Sequence, residues 1–260
     1  MPVTIGALPD PIATIDAVGN LAPIQVALVI VGGTLSGSFT FNASITYTDH
    51  GRNDQILKAG QTDSLNFSID FGDVLGGTFR LVADIPCNAD DGSPAQVHYD
   101  SSANILGTNP GKADIKNRLG PLETQVVAYH ESSFRQFLGN GQPVFGPPNG
   151  FGIMQLDTPP PTYLQIWVWT ANVDGGLTLY QQKQTDATGY PARTRETYPN
   201  ATDFTPDQLR METWQRYNGG HYWTWDDANQ RWAPDPPNNY ADTLLAVYNS
   251  VNSGTPPADW

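Results

Sequence analysis

The chain has 260 residues, room for two ordinary domains, and its 39% hydrophobic and 11% aromatic content marks a core-burying protein rather than a disordered one. Its 13 Lys and Arg against 26 Asp and Glu give a net charge of -13, which repels a phosphate backbone, and no basic stripe offsets it. Nucleic acid is therefore not an expected partner, and a single cysteine, Cys87, excludes an internal disulfide framework and reads as a small, partly buried residue.

The first twenty residues, MPVTIGALPDPIATIDAVGN, lack a positive segment followed by a long apolar one, and the longest apolar run, around Ile24 to Val31, is far too short to cross a bilayer. Neither a secretory signal nor a membrane span is expected. Four histidines, His50, His98, His130 and His221, are scattered without HExxH or CxxC spacing, so no metal and no other cofactor is expected.

Up to about residue 105, "VALVIVG", "GSFTFNASITYT", "SLNFSIDFG" and "GTFRLVADI" are short, rich in Val, Ile, Phe and Thr, partly alternating, and bounded by Gly, Asn and Asp. They predict an antiparallel all-β domain over residues 1–105, a sandwich of Ig-like type. In "GTNPGKADIKNRLGPLETQVVAYH" the period changes. Ile115, Leu119, Leu122, Val126 and Tyr129 fall three or four apart, with a helix start at Asn109-Pro110 and a restart at Pro121. Residues 106–260 therefore read as a second, mainly α domain, giving a two-domain α+β chain.

All seven Trp residues lie after position 166, in keeping with that boundary. "DTPPPT" and "APDPPNNY" are too short for interdomain linkers and read as loops, and residues 184–210 read as one long polar connection, of the kind that is often functional or mobile.

In "AYHESSFRQF" the chain places Glu131 among apolar and aromatic neighbours, at or near the end of the Leu122 to His130 helix. The macrodipole disfavours an anion there and apolar neighbours desolvate it, and both effects raise a carboxyl pKa. A glutamic acid kept partly protonated near neutral pH can donate a proton to a glycosidic oxygen. Taken alone, such a residue is more often a helix-end carboxylate with a local hydrogen-bond partner.

Five segments, in order, bear on that choice. "ESSF" followed by "GFGIMQL" resembles the Glu-Ser and Gly-x-Met-Gln motifs of the goose-type lysozyme and soluble lytic transglycosylase family. "NVDGGLTLYQQK" resembles its Asn-x-x-x-Gly helix. "RYNGGHYW" and "NNYADTLLAVYN" resemble its Tyr-Asn-x-Gly segment and its final helix. The resemblance covers roughly residues 110 to 250 and implies a lysozyme-like domain that cleaves the β-1,4 bond between N-acetylmuramic acid and N-acetylglucosamine in peptidoglycan.

On that resemblance Glu131 would be the catalytic acid and base. Ser132 would order the helix end, Gly152 and Met154 would shape the cleft wall, and Gln155 would hydrogen-bond a sugar or its N-acetyl group. Tyr217, Asn218 and Tyr240 would line the cleft, with Tyr240 a partner for Glu131. Read on their own, Met154 is wall or core, Gly152, Gly219 and Gly220 serve backbone conformation, and Asn172 with Gly175 and Gly176 serves helix packing.

Several features depart from the family. The "GNGQPVFGPPN" loop lacks the usual Ser-x-x-Gly-Ala pattern, and "DTPPPTYLQIWVWT" inserts Trp167 and Trp169, favoured as core. Tyr222, Trp223, Trp225 and Trp232, interspersed with Asp226, Asp227 and Asn229, suit either stacking on pyranose rings or a structural hairpin. A second carboxylate, which most glycosidases need, is sought at Asp157, Glu196 or Asp203; lytic transglycosylases manage with one Glu, and the sequence does not separate the two mechanisms.

The implied partners are glycan strands in the cell wall or periplasm, a secretion or tail component docked by the β domain, and a cognate inhibitor protein. Residues 1 to 110 carry three Lys or Arg and eleven Asp or Glu, which favours protein docking over anionic wall polymers. Without a signal peptide, export by a phage lysis route or an injection device is expected, as for a lytic effector. The competing reading is a non-catalytic carbohydrate-binding or tail structural protein on a lysozyme-like fold.

Overall fold

The computed structural model describes residues 2–235 and 239–260, a mixed α/β architecture in two compact units. A β unit takes the chain as far as Gly111 and then Arg135–Gly152 and Asp157–Thr170. A helical unit takes Lys112–Phe134, Ile153–Leu156 and Ala171–Trp260. The sequence predicts one boundary near residue 105; instead the chain returns twice to the β unit. The cause is apolar: Phe137, Phe151, Ile166 and Trp167 on the returning segments are buried in that unit's core.

The β unit holds β1 (Thr4–Ile5), β2 (Ala13–Ile15), β3 (Ile24–Ala27), β4 (Ile30–Val31), β5 (Gly33–Leu35), β6 (Phe39–Tyr47), β7 (Asp54–Thr62), β8 (Asn66–Ile69), β9 (Gly77–Ala89) and β10 (Pro94–Gly107). A six-stranded sheet runs β2-β10-β9-β6-β7, with β5 also on β9, while β1 pairs with β4 and β3 with β8. Every pairing is antiparallel except β2 on β10. Alternation sets the buried face: along β6, Phe39, Phe41, Ala43, Ile45 and Tyr47 are buried while intervening residues are not. From β9, Phe79, Leu81 and Ile85 join them at 0% exposure. Cys87 is buried in this core, and its burial pushes the thiol pKa up, away from reactivity.

The returning segments add β11 (Phe145–Gly146), β12 (Gly150–Phe151) and α3 (Tyr163–Trp167). A capping box between Thr162 and Gln165 starts α3 and delivers Trp167 into the core. There its ring meets Tyr47 edge-on at 5.3 Å and covers Gly76, where a Cβ would sit 2.2 Å from the ring. Burying so large a side chain contributes roughly 1.5–3 kcal/mol, which offsets the cost of its indole N–H having no hydrogen-bond partner among the described residues. Trp167 and the buried Trp169, whose Nε1 donates to Ala17 O at 3.0 Å, are therefore packing residues.

The helical unit contains α1 (Lys112–Leu119), α2 (Leu122–Ser132), most of α4 (Trp169–Arg195), α5 (Pro206–Asn218), the hairpin strands β13 (Trp223–Asp226) and β14 (Arg231–Pro234), and α6 (Tyr240–Asn252). Gly120, at φ +74, ends α1, and Pro121 precedes the first turn of α2. Asn109 does not cap a helix; its Oδ1 accepts from the N–H groups of Gln136 and Phe137, both at 2.8 Å, within the β unit.

The long connection expected over residues 184–210 is mostly helix. α4 runs on to Arg195 through Gly189 and Pro191, and α5 begins at Pro206 behind a Thr205–Gln208 capping box. The Thr185, Thr188 and Thr194 hydroxyls bond carbonyls four residues back, which lets a polar, Thr-rich stretch remain helical. The Pro236, Pro237 and Asn238 portion of the "APDPPNNY" stretch lies outside the described residues.

Candidate active site

The last turn of α2 carries Glu131. The helix stops there because Ser133 turns left-handed (φ 54), its N–H reaching back to Ala128 O and Tyr129 O, and Phe134 follows at φ 60. Nearby in the same unit Gln155 has φ 46. A left-handed non-glycine residue costs about 1–2 kcal/mol, so strain is concentrated around one carboxylate, as it tends to be at functional sites.

The Ile153–Leu156 segment is tied to three helices. Ser132 Oγ donates to Ile153 O at 2.9 Å from α2, Asn172 Oδ1 accepts from Met154 N–H at 2.9 Å from α4, and Tyr217 Oη donates to Met154 O at 2.8 Å from α5. Gly176 on α4 makes room for Met154, because a Cβ there would lie 2.3 Å from Met154 Cγ. From α6, Tyr240 Oη donates to Glu131 Oε1 at 2.5 Å. Residues far apart in the chain thus converge on the half-buried Glu131 and on the segment that holds Gln155.

Tyr240 is buried, and its phenol pKa is pushed well up, first by burial and then by the negative charge of Glu131. The phenol therefore stays protonated and acts as a donor. The His130 ring sits edge-on to Tyr240 at 4.9 Å. Desolvation lowers its pKa, although part of the ring faces solvent. The arrangement gives one carboxyl group on a helix end with a fixed phenol to hold it.

Not every candidate is placed to touch a ligand. Met154 is fully buried and Ser132 nearly so, both engaged in fixing backbone, so neither presents a sugar-binding surface. Gln155 and Tyr217 are half-buried and Asn218 is exposed at the end of α5, followed by Gly219 (φ 96) and Gly220 (φ 94). Gly152, at φ 73, closes the β unit's second returning segment's predecessor, Arg135–Gly152. Asn172, Gly175 and Gly176 lie within α4, where Asn172 and Gly176 pack Met154.

The aromatic cluster is a structural hairpin. Trp225 and Trp232 are 5% and 6% exposed and form a small core with Ala201, against which Tyr190, Phe204 and Trp223 pack, so their faces are covered rather than offered to sugars. Tyr222 is also buried and donates to Asp242 at 2.5 Å, while Asp226 accepts from Asn229 in the hairpin turn. Of the candidate second acids, Asp157 is exposed and belongs to the β unit, Glu196 is exposed in the turn after α4, and Asp203 pairs with Arg195 at 2.9 Å.

A carboxylate that sequence reasoning missed is Glu212, in the middle of α5 at 0% exposure. Its Oε2 accepts from the N–H groups of Tyr222 (2.8 Å) and Trp223 (3.1 Å). Arg216 Nε lies 2.8 Å from Oε1, with its N–H directed elsewhere, so that contact is ionic rather than a hydrogen bond. His221 Nδ1 lies between Arg216 Nη2 (2.7 Å) and Glu212 Oε1 (3.2 Å), and its ring stacks on Tyr190 at 4.7 Å. Glu212 therefore fixes the turn that follows Asn218. From sequence the i, i+4 spacing of Glu212 and Arg216 reads as a surface pair, and no local signal marks the run Met211–Gln215 as enclosed.

Among the described residues no group of three or more His, Cys, Asp or Glu could hold a metal ion, and no helix is long and apolar enough to cross a membrane. No protein-family model, no curated protein and no solved structure matches the chain.

Proposed function

We propose that the helical unit is a lysozyme-like catalytic domain that cleaves the β-1,4 bond between N-acetylmuramic acid and N-acetylglucosamine, with Glu131 as general acid and then base. The observation that carries this reading is the half-buried Glu131 on the last turn of α2, held by the protonated phenol of Tyr240. Residues from all five family-like segments meet there: Glu131 and Ser132, Met154, Asn172 and Gly176, Tyr217, and Tyr240.

In the first step the Glu131 carboxyl proton passes to the glycosidic oxygen, the bond from that oxygen to the anomeric carbon breaks, and the leaving sugar departs as an alcohol. The carboxylate so formed then takes the proton of the nucleophile. Water as nucleophile gives a reducing end, as in a muramidase; the muramyl 6-hydroxyl gives a 1,6-anhydro end, as in a lytic transglycosylase. The Tyr240 hydroxyl holds the carboxylate in one orientation through both steps. No second carboxylate is assigned to the reaction.

The β unit, on this reading, is an Ig-like sandwich that docks the enzyme to a protein partner such as a secretion or tail component, since its excess of acid opposes anionic wall polymers. The enzyme acts in the bacterial wall or periplasm as a phage- or secretion-associated lytic effector, open to a cognate inhibitor protein.

The test is mass spectrometry of soluble products from purified peptidoglycan digested with wild-type protein and with Glu131→Gln. Anhydro-muropeptides that vanish in the variant identify a transglycosylase, and reducing-end products that vanish identify a muramidase. Products of equal yield from both proteins refute the role of Glu131, and no products from either point to a carbohydrate-binding or structural role.

A further inference from the structure

At the opposite end of α2 from Glu131, wholly within the helical unit, a cavity of about 570 Å³ opens between α2, α4 and α5. Glu123 on α2 and Arg210 on α5 both line it. At 1.5 Å per residue Glu123 lies about 12 Å along the helix from Glu131, so this is a separate place on the unit.

The two charges are not paired with each other. Arg210 binds Asp207 at 2.7 Å through Nη2 while its guanidinium lies over Tyr248, 4.5 Å from the ring centroid, and its Nε–H is buried without a hydrogen-bond partner among the described residues. Glu123 accepts a long bond from Tyr248 Oη at 3.3 Å. Tyr180, buried and lining the cavity, feels both charges at its hydroxyl, Glu123 raising and Arg210 lowering its pKa beneath the larger effect of burial. Leu177, Leu209 and Pro206 complete an apolar wall.

An anion, a cation and an aliphatic wall lining one cavity recognise a ligand with the same three features. We propose that this cavity binds a short peptide with free ends, its ammonium toward Glu123, its carboxylate toward Arg210 and an aliphatic side chain against Leu177 and Leu209. The volume falls in the range of ordinary ligand pockets, and a tripeptide, at most about 10 Å long when extended, spans a cavity of this size. Arg210 already pairs with Asp207 and Glu123 with the Tyr248 hydroxyl, and a zwitterion would add to both contacts, where a neutral sugar offers neither an ammonium to Glu123 nor a carboxylate to Arg210.

Isothermal titration of the full chain with the tripeptide Ala-Leu-Ala tests this, beside its N-acetylated and C-amidated forms. The free peptide is expected to bind, and each blocked form to bind about tenfold or more weakly. Glu123→Gln is expected to weaken the free peptide while leaving the N-acetylated one unchanged. Because Arg210 also packs on aromatic rings, Leu177→Trp, which fills the cavity from an α4 position, serves as the second variant and is expected to abolish binding with an unchanged melting temperature. Equal affinity for free and blocked peptides, no binding of the free peptide, or full binding by Leu177→Trp each overturns the proposal. Glu131→Gln leaves this affinity unchanged whatever its effect on peptidoglycan, so the two sites stand or fall separately.

Discussion

Two glutamates of the helical unit, one ending α2 and one inside α5, sit in contrasting surroundings, and on the proposed function the first is reactive and the second structural. Glu212 is fully enclosed among an arginine, a histidine and two backbone N–H groups, and these contacts anchor a turn. Glu131 is half-buried at the negative end of a helix dipole, and its phenol partner is itself a group that keeps its proton. An enclosed carboxylate holds structure, whereas one that reaches solvent at a helix end is open to a ligand.

Swapping the losses between the two is the strongest way to break that comparison. On the proposed function, Glu131→Gln is expected to reduce wall-lytic activity by about a thousandfold or more with the fold intact, as removal of a general acid does. Glu212→Ala is expected to cost about 3–5 kcal/mol in urea unfolding, because it strands Arg216 and two N–H groups in a buried site. If Glu212→Ala unfolded like wild type, its structural role would be refuted.

Smaller perturbations sharpen the contrast. Tyr240→Phe, which removes one hydrogen bond to a carboxylate, is expected to lower kcat by about 10- to 100-fold with little change in melting temperature. Gly176→Leu pushes a side chain into Met154 and is expected to destabilise by about 1–3 kcal/mol while also disturbing the Gln155 segment, seen as loss of activity beyond loss of folded protein.

The mildest test is alkaline. Burial raises the phenols of Tyr47, Tyr180 and Tyr240 above the usual 10.0, so above that pH the unfolded chain releases protons that the folded chain retains. Their contribution to stability is complete below pH 10.0 and is lost as pH rises toward the folded values. Absorbance titration should show these three tyrosines ionising late, and Glu131→Gln should bring one of them down by removing a neighbouring charge.

The strands were legible where alternation was strong, as along β6 and β9, because a two-residue period is a local property. Their partners were not: the parallel placement of β2 on β10 joins residues some ninety positions apart and leaves no local trace. The helix that continues through Gly189 and Pro191 was hidden because both residues ordinarily end helices, and the threonine back-bonds that support it depend on the helix already being there. At the site, Glu131 stood out by its apolar neighbours, but the burial of Ser132 and Met154 and the enclosure of Glu212 come from contacts with other helices. Local periodicity was readable, and exposure set by tertiary packing was not.

The twofold return of the chain to the β unit has a consequence for how the protein could be taken apart or inherited. A cut at residue 105 or 111 would separate Phe137, Phe151, Ile166 and Trp167 from the core they complete and leave those side chains as sticky flaps on the remaining fragment. The two halves are therefore not beads on a string that recombination can trade at a single seam. Any lineage that exchanges one of them must bring along the interleaved loops of the other.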